Sequence, residues 1–99
     1  MKYTELESKV LDWAKDKGIL DKATKYTQAR KTLEECLELI DAINNNDDDE
    51  IQDALGDILV TIIIQAKLNN VELLDCLEGA YNVISKRTGK MINGQFVKN

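Results

Sequence analysis

Apolar residues recur along this chain at helical spacing in four stretches separated by short polar breaks. The first carries Val10, Leu11 and Trp13, with Thr4 and Glu7 placed to form a capping box at its start and Gly18 to stop it. The second runs from about Tyr26 to Ile43 and puts Ala29, Leu33, Cys36, Leu37, Ile40 and Ile43 on one face, which predicts a strongly amphipathic helix. Asn44, Asn45 and Asn46 then favour a turn. The third stretch begins among Asp47, Asp48 and Asp49, acids that cap a helix and suit its dipole, and continues to about Leu68. Its centre, ILVTIII from Ile58 to Ile64, is rich in β-branched residues and taken alone fits a buried strand. The stripe Ile51, Leu55, Ile58, Leu59, Ile62 and Ala66 runs unbroken through that centre and predicts a helix, apolar nearly all round and covered on several sides. The fourth begins after Asn70, carries Val71, Leu74, Leu77, Ala80, Tyr81 and Ile84, and ends before Gly89. Beyond it, Asn93-Gly94 between short alternating runs predicts a small hairpin or extended arm.

Composition agrees with this all-α reading. The chain has no proline and five glycines, which suits long uninterrupted helices, and 99 residues at 43% apolar content suffice for a single domain, 1–99, with a modest core. A net charge of -5, from 18 acids against 13 bases, argues against binding to a nucleic-acid backbone and implies that any phosphate is held through a metal. Histidine is absent, so imidazole catalysis and histidine-containing zinc sites are excluded. Cys36 and Cys76 have apolar neighbours and no CxxC spacing, which predicts reduced core thiols in a cytoplasmic protein. The opening MKYTELESKV has no apolar h-region, and Ile58 to Ile64 is far shorter than the roughly 20 residues of a membrane helix. No membrane partner is expected.

Two groups of acids bear on chemistry. In TLEECLELIDAI, Glu35 and Glu38 share a helix face, with Glu34 beside Glu38 and Lys31 one turn earlier. The apolar stripe of that helix is centred on the opposite side, so periodicity alone describes a solvated charged face. Asp57 differs, because it stands at the mouth of ILVTIII, where an ionised carboxylate needs a cation, hydrogen bonds or open water. A lysine such as Lys31 or Lys67 would serve as a structural partner. Alternatively, antiparallel packing of the second and third helices through Asn44 to Asp48 would let Glu35, Glu38 and Asp57 converge as oxygen ligands for Mg²⁺ or Mn²⁺.

At these residues the chain resembles the MazG-like all-α nucleoside triphosphate pyrophosphohydrolases. Glu34-Glu35-Cys36-Leu37-Glu38 matches their EExxE motif, and Asp57 with its preceding Leu55-Gly56 matches the end of their ExxD motif. The LDWAKDKGIL opening and the closing SKRTGKMINGQFVKN extend the likeness over most of the chain. The resemblance implies a four-helix bundle packed as a homodimer or dimer of dimers. It also implies a Mg²⁺-dependent enzyme that cleaves a nucleoside triphosphate to the monophosphate and pyrophosphate. By the same likeness Glu35, Glu38 and Asp57 are metal ligands, and Glu34 is a less consistent ligand or a water-positioning acid; Glu34, Glu35 and Glu38 form the catalytic set. Lys31, the basic cluster Lys86, Arg87 and Lys90, and Trp13 are the candidate substrate contacts. For the cluster, placement of cations at a helix C-terminus is an equal account, and for Trp13, a place in the core. Thr61 either lines the pocket or satisfies its hydroxyl on the backbone.

The chain departs from the pattern at one point: the glutamate that opens ExxD is replaced by Ala54. Asp53 cannot substitute, since one residue turns a side chain about 100° around a helix. Ala54 leaves two readings open, a natural variant with weakened metal binding or an alanine replacement that disables the enzyme. Two further readings of the whole chain stand beside the enzyme: a non-catalytic nucleotide-binding or regulatory helical module, and a structural dimerisation domain whose acids are merely solvated.

Overall fold

A computed structural model describes residues 1–99 and shows how far these local signals carry. Five helices, α1 (Tyr3–Asp16), α2 (Ile19–Lys22), α3 (Lys25–Asn44), α4 (Asp48–Leu68) and α5 (Leu73–Ile84), precede two short strands, β1 (Gly89–Ile92) and β2 (Gln95–Lys98). The β-branched run ILVTIII is helical throughout. It is held so by the turns on either side of it, since its own propensity is the weaker signal.

Capping explains most boundaries. The expected box at Thr4 does not form, because α1 already begins at Tyr3 and Lys2 precedes it without a side-chain cap; a capping threonine must be extended, and Thr4 is helical. The capping box of this chain opens α3 instead, where Thr24 Oγ1 accepts from Thr27 N at 3.0 Å and Thr27 Oγ1 accepts from Thr24 N at 2.9 Å. Gly18, at φ 79°, ends α1 and turns the chain into α2, a four-residue helix too short to show a period. Between α3 and α4, Asn46 takes the left-handed conformation at φ 53° and Asp47 accepts from Glu50 N at 3.1 Å.

That short turn folds α4 back along α3. Gln65 Nε2 donates to Lys25 O at 2.9 Å, Gln28 Nε2 to Thr61 O at 3.1 Å, and Thr32 Oγ1 to Thr61 Oγ1 at 2.8 Å, so positions rise on α3 as they fall on α4. The helices are antiparallel, as expected. α1 and α2 lie against α4. The apolar core is small: Ala14, Ala42, Ala54, Ile63 and Ile64.

The rotation of α3 corrects the sequence reading. Its covered face carries Gln28, Glu35 and Ala42, with Thr32 and Leu39 half-buried between them, while Leu33, Leu37, Ile40 and Ile43 are exposed by 52 to 61%. The acid-bearing side faces the chain's own α4, and the apolar stripe faces outward. Side-chain bonds from Gln28 and Thr32 to α4 hold this rotation. On α4, Leu55 and Leu59 are likewise exposed, so the helix is not covered on all the sides expected.

The four-helix bundle is also incomplete within one chain. After its first turn α5 leaves the α3–α4 pair, and Leu74, Leu77, Tyr81 and Ile84 remain more than half exposed. Cys76 lies on this helix and is exposed, contrary to the expected core position, whereas Cys36 is half-buried; both are free thiols.

β1 and β2 form the expected antiparallel hairpin, with Lys90 opposite Val97 and Ile92 opposite Gln95. Asn93 and Gly94 both have positive φ, 51° and 81°, as a two-residue hairpin turn of this hand demands. Gly89 has a separate role: a Cβ there would overlap Val97 O and come within 2.8 Å of Phe96 Cζ. Gly89→Ala is therefore expected to part the strands while leaving the helices intact. Amide exchange should accelerate at Met91 and Phe96 and stay unchanged in α3 and α4.

Candidate metal centre

The antiparallel pairing brings three carboxylates to one place. Glu35 and Glu38, one turn apart on α3, and Asp57 on α4 each offer an oxygen, and these oxygens lie within 4.8 Å of one another. Glu35 is buried, 7% exposed, whereas Glu38 and Asp57 open to solvent. Asp57 therefore stands open to solvent, and neither Lys31 nor Lys67 pairs with it.

Glu35 is the electrostatic problem of the site. Its Oε1 meets Lys31 Nζ at 3.5 Å, and its Oε2 is buried with no hydrogen-bond partner. A buried carboxylate oxygen without a partner is unfavourable by a few kcal/mol at least, and an oxygen-seeking cation is the natural complement. Three converging carboxylates, one with an orphaned buried oxygen and two open to solvent, fit Mg²⁺ or Mn²⁺.

Neighbouring charges express the same strain. The Glu38 carboxyl is pushed above the ordinary range, first by the neighbouring Glu35 carboxylate, through its proximity and its charge, with Asp57 adding to the effect. Lys31 is raised above the usual lysine range, mainly by its hydrogen bond to Glu35. It also meets Glu34 Oε2 at 3.5 Å, so Glu34 stands on the exposed side of Lys31, outside the three-carboxylate group.

Ala54 sits one turn before Asp57 and is buried, 5% exposed. A 230 Å³ cavity adjoins Glu35, Asp57 and Lys31 and extends to Trp13, Gln28 and Thr61. Trp13 is half-exposed and lines this cavity, so it is not a core residue. Thr61 does both things expected of it, lining the cavity and donating to Ile58 O at 2.7 Å. Lys86 and Arg87 follow α5 and Lys90 lies on β1; none of them lines the cavity beside the carboxylates.

Residues 23–92 match the family model of the MazG nucleotide pyrophosphohydrolase domain. The chain belongs to the MazG family. The match covers both acid-bearing helices, α5 and β1, and leaves α1 and α2 outside it. A relative from Haemophilus phage HP1 (strain HP1c1), an uncharacterized 18.2 kDa protein in the rep-hol intergenic region, is 32% identical over 68 residues. That alignment covers 69% of this chain and spans 42% of the relative's length. No solved structure matches the chain.

Gln28 and Thr32 were not singled out from sequence, yet both bond across to α4. Their signal was present: 28, 32, 35, 39 and 42 recur at three- and four-residue spacing and define the face that α4 covers.

The raised Glu38 carboxyl fixes the sign of a pH effect. An acid harder to ionise in the folded state favours folding below its unfolded pKa of about 4.3 and loses that contribution as pH rises through the folded value. Without metal, Glu38→Gln should raise the melting temperature at pH 7, and the gain should vanish below about pH 4. Thermal denaturation in EDTA across that range measures it.

Proposed function

We propose that this MazG domain is a Mg²⁺-dependent nucleoside triphosphate pyrophosphohydrolase that converts a (d)NTP and water to the (d)NMP and pyrophosphate. The observation that carries this reading is the orphaned Glu35 Oε2 within a group of three converging carboxylates. Glu35, Glu38 and Asp57 would hold the ion; Mn²⁺ is an alternative of similar chemistry. When bound, the ion supplies charge neutralisation for the polyphosphate and polarisation of the attacked phosphorus and of water.

The remaining work falls to the protein's own groups. A carboxylate of the group that the ion leaves free would accept the water proton as the bond from the α phosphorus to pyrophosphate breaks. Lys31 balances Glu35 and stands beside the cavity, placed to meet phosphate oxygens. Glu34 anchors Lys31 from the far side. Lys86, Arg87 and Lys90 would reach phosphate only from another copy of the chain.

A second reading is favoured by Ala54: a nucleotide-binding module that keeps the fold and turns over slowly or not at all. Loss of a side chain that would touch the ion should exceed the roughly 10- to 100-fold typical of losing a group that only orients a ligand. Ala54→Glu should raise pyrophosphate release well above that of the present chain. Because position 54 is buried, the same change should destabilise the protein in EDTA by about 3 to 5 kcal/mol, an effect that Mg²⁺ reverses. Equal turnover by both proteins would sink the assignment of Ala54 to the lost ligand position.

The domain acts as a homo-oligomer, dimer or dimer of dimers, in the cytoplasm. Exposed apolar side chains on α3, α4 and α5 support an oligomer, since Leu33, Leu37, Leu55, Leu74, Leu77 and Tyr81 are more than half exposed in a single chain. Light scattering should report a mass above that of one chain. Leu37→Lys and Leu77→Lys, at sites exposed within a single chain, should each shift the mass toward the monomer without loss of helix content.

A further inference from the structure

Charge is segregated along this chain into two blocks. From Thr32 to Ala66 there is no basic side chain, and the acids run from Glu34 to Asp57. From Gly79 to Asn99 there is no acidic side chain, and Lys86, Arg87, Lys90 and Lys98 carry the charge. The fold does not bring the two blocks together. Both ion pairs of the chain belong to Lys31, so the bases of the C-terminal block have no counter-charge within it. The acidic block is densest at the α3–α4 turn, where Glu38, Asp41, Asp47 and Glu50 line one cavity of about 350 Å³. Glu38 belongs to the metal centre and Asp47 caps α4, which leaves the side chains of Asp41 and Glu50 without a partner in the chain.

The basic block is an arm, the end of α5 with β1 and β2, and it is unfinished as structure. No residue of α5 is buried, and every residue of both strands is exposed. A two-stranded hairpin without further support is marginal in water, so the arm needs a surface to lie on. The radius of gyration agrees: it is 15.7 Å, against about 13 Å for a compact domain of about 100 residues. The acidic turn of the same chain is far from the root of the arm. α5 departs beside Asn69 and Val71, at the opposite end of α4 from the turn, and the 21 residues of α4 at 1.5 Å each separate those ends by about 31 Å.

We propose that the basic arm of one copy docks on the acidic α3–α4 turn of a second copy, with Arg87 and Lys90 among the cations and Asp41 and Glu50 among the acids that face them. A two-fold axis across the helix pair sets the arm end of each copy against the acidic end of the other, so both contacts form together. Every copy brings one arm and one turn, of opposite charge. A nucleic acid is the poorer occupant of the arm, because the chain that carries it has a net charge of -5 and repels a polyanion. The proposal rests on the homo-oligomer reading above and adds the contact that orients it: exposed apolar faces drive association, and opposed charge selects which surfaces meet.

Charge reversal followed by re-pairing tests the docking. One variant carries Arg87→Glu with Lys90→Glu in the arm, and the other carries Asp41→Lys with Glu50→Lys at the turn, all at exposed positions. In sedimentation at low salt, each variant alone should associate about 10- to 100-fold more weakly than the unaltered chain, because like charge then faces like. Mixed in equal amounts, the two variants should associate as tightly as the unaltered chain, since each arm again meets a turn of opposite sign. Asp41→Asn with Glu50→Gln, a milder change that carries the test if a reversal costs helix content, should weaken association in the same direction by a smaller factor. At about 1 M NaCl, where screening acts within about 3 Å, the variants and the unaltered chain should converge. Reversals that leave association unchanged, or a mixture as weak as its components, overturn the docking and leave an apolar oligomer standing. A DNA duplex bound by the unaltered chain and released on arm reversal, with the mass unaffected, overturns it in favour of a nucleic acid. An unaltered chain that stays monomeric at every concentration overturns the docking and the oligomer together.

Discussion

A carboxylate held between two helices with one oxygen unpartnered is the constraint around which this chain is built. The buried Glu35 Oε2 lacks a partner, and positive charge is its natural complement. Lys31 supplies part of that charge from one turn away, at the surface and at 3.5 Å, which is enough to orient Glu35 and too little to satisfy it. Glu38 and Asp57 aggravate the deficit by facing the same point, and the raised Glu38 carboxyl is the direct consequence. Such a group is unfavourable as protein structure and well suited to holding a small divalent ion.

The helices that create this strain also bear it. α3 and α4 are joined by a tight turn in which Asn46 takes positive φ and Asp47 caps the next helix, and their pairing is stitched by Gln28, Thr32, Thr61 and Gln65. Polar bonds across a helix pair set its rotation more narrowly than alkyl contacts do, since each depends on direction. That rotation turns Glu35 inward and aligns Glu38 with Asp57. The same rotation leaves Leu33, Leu37 and Ile40 facing outward and α5 largely unsupported. A core of three alanines and two isoleucines is slight for 99 residues, so the exposed stripes and the acid site have one cause.

Ala54 acts on this balance. One turn before Asp57 it puts a buried methyl, which adds no further charge to an already repulsive site.

By itself the amino-acid sequence determined the four longer helices, the Asn93-Gly94 hairpin, and the order and spacing of Glu35, Glu38 and Asp57, because caps, periods and motif spacing are local properties; α2 is too short to show a period. It misplaced the capping box at Thr4, since a threonine followed by a glutamate has the right chemistry whether or not its backbone is extended. It could not show that the amphipathic stripe of α3 faces away from α4, because periodicity reports that a face is apolar and not which neighbour covers it. Only the tertiary structure decided that Glu35 is buried, that Trp13 borders the cavity and that Gln28 bonds across to α4. Those facts depend on the relative rotation of two helices, which residues some 30 positions apart along the chain set together.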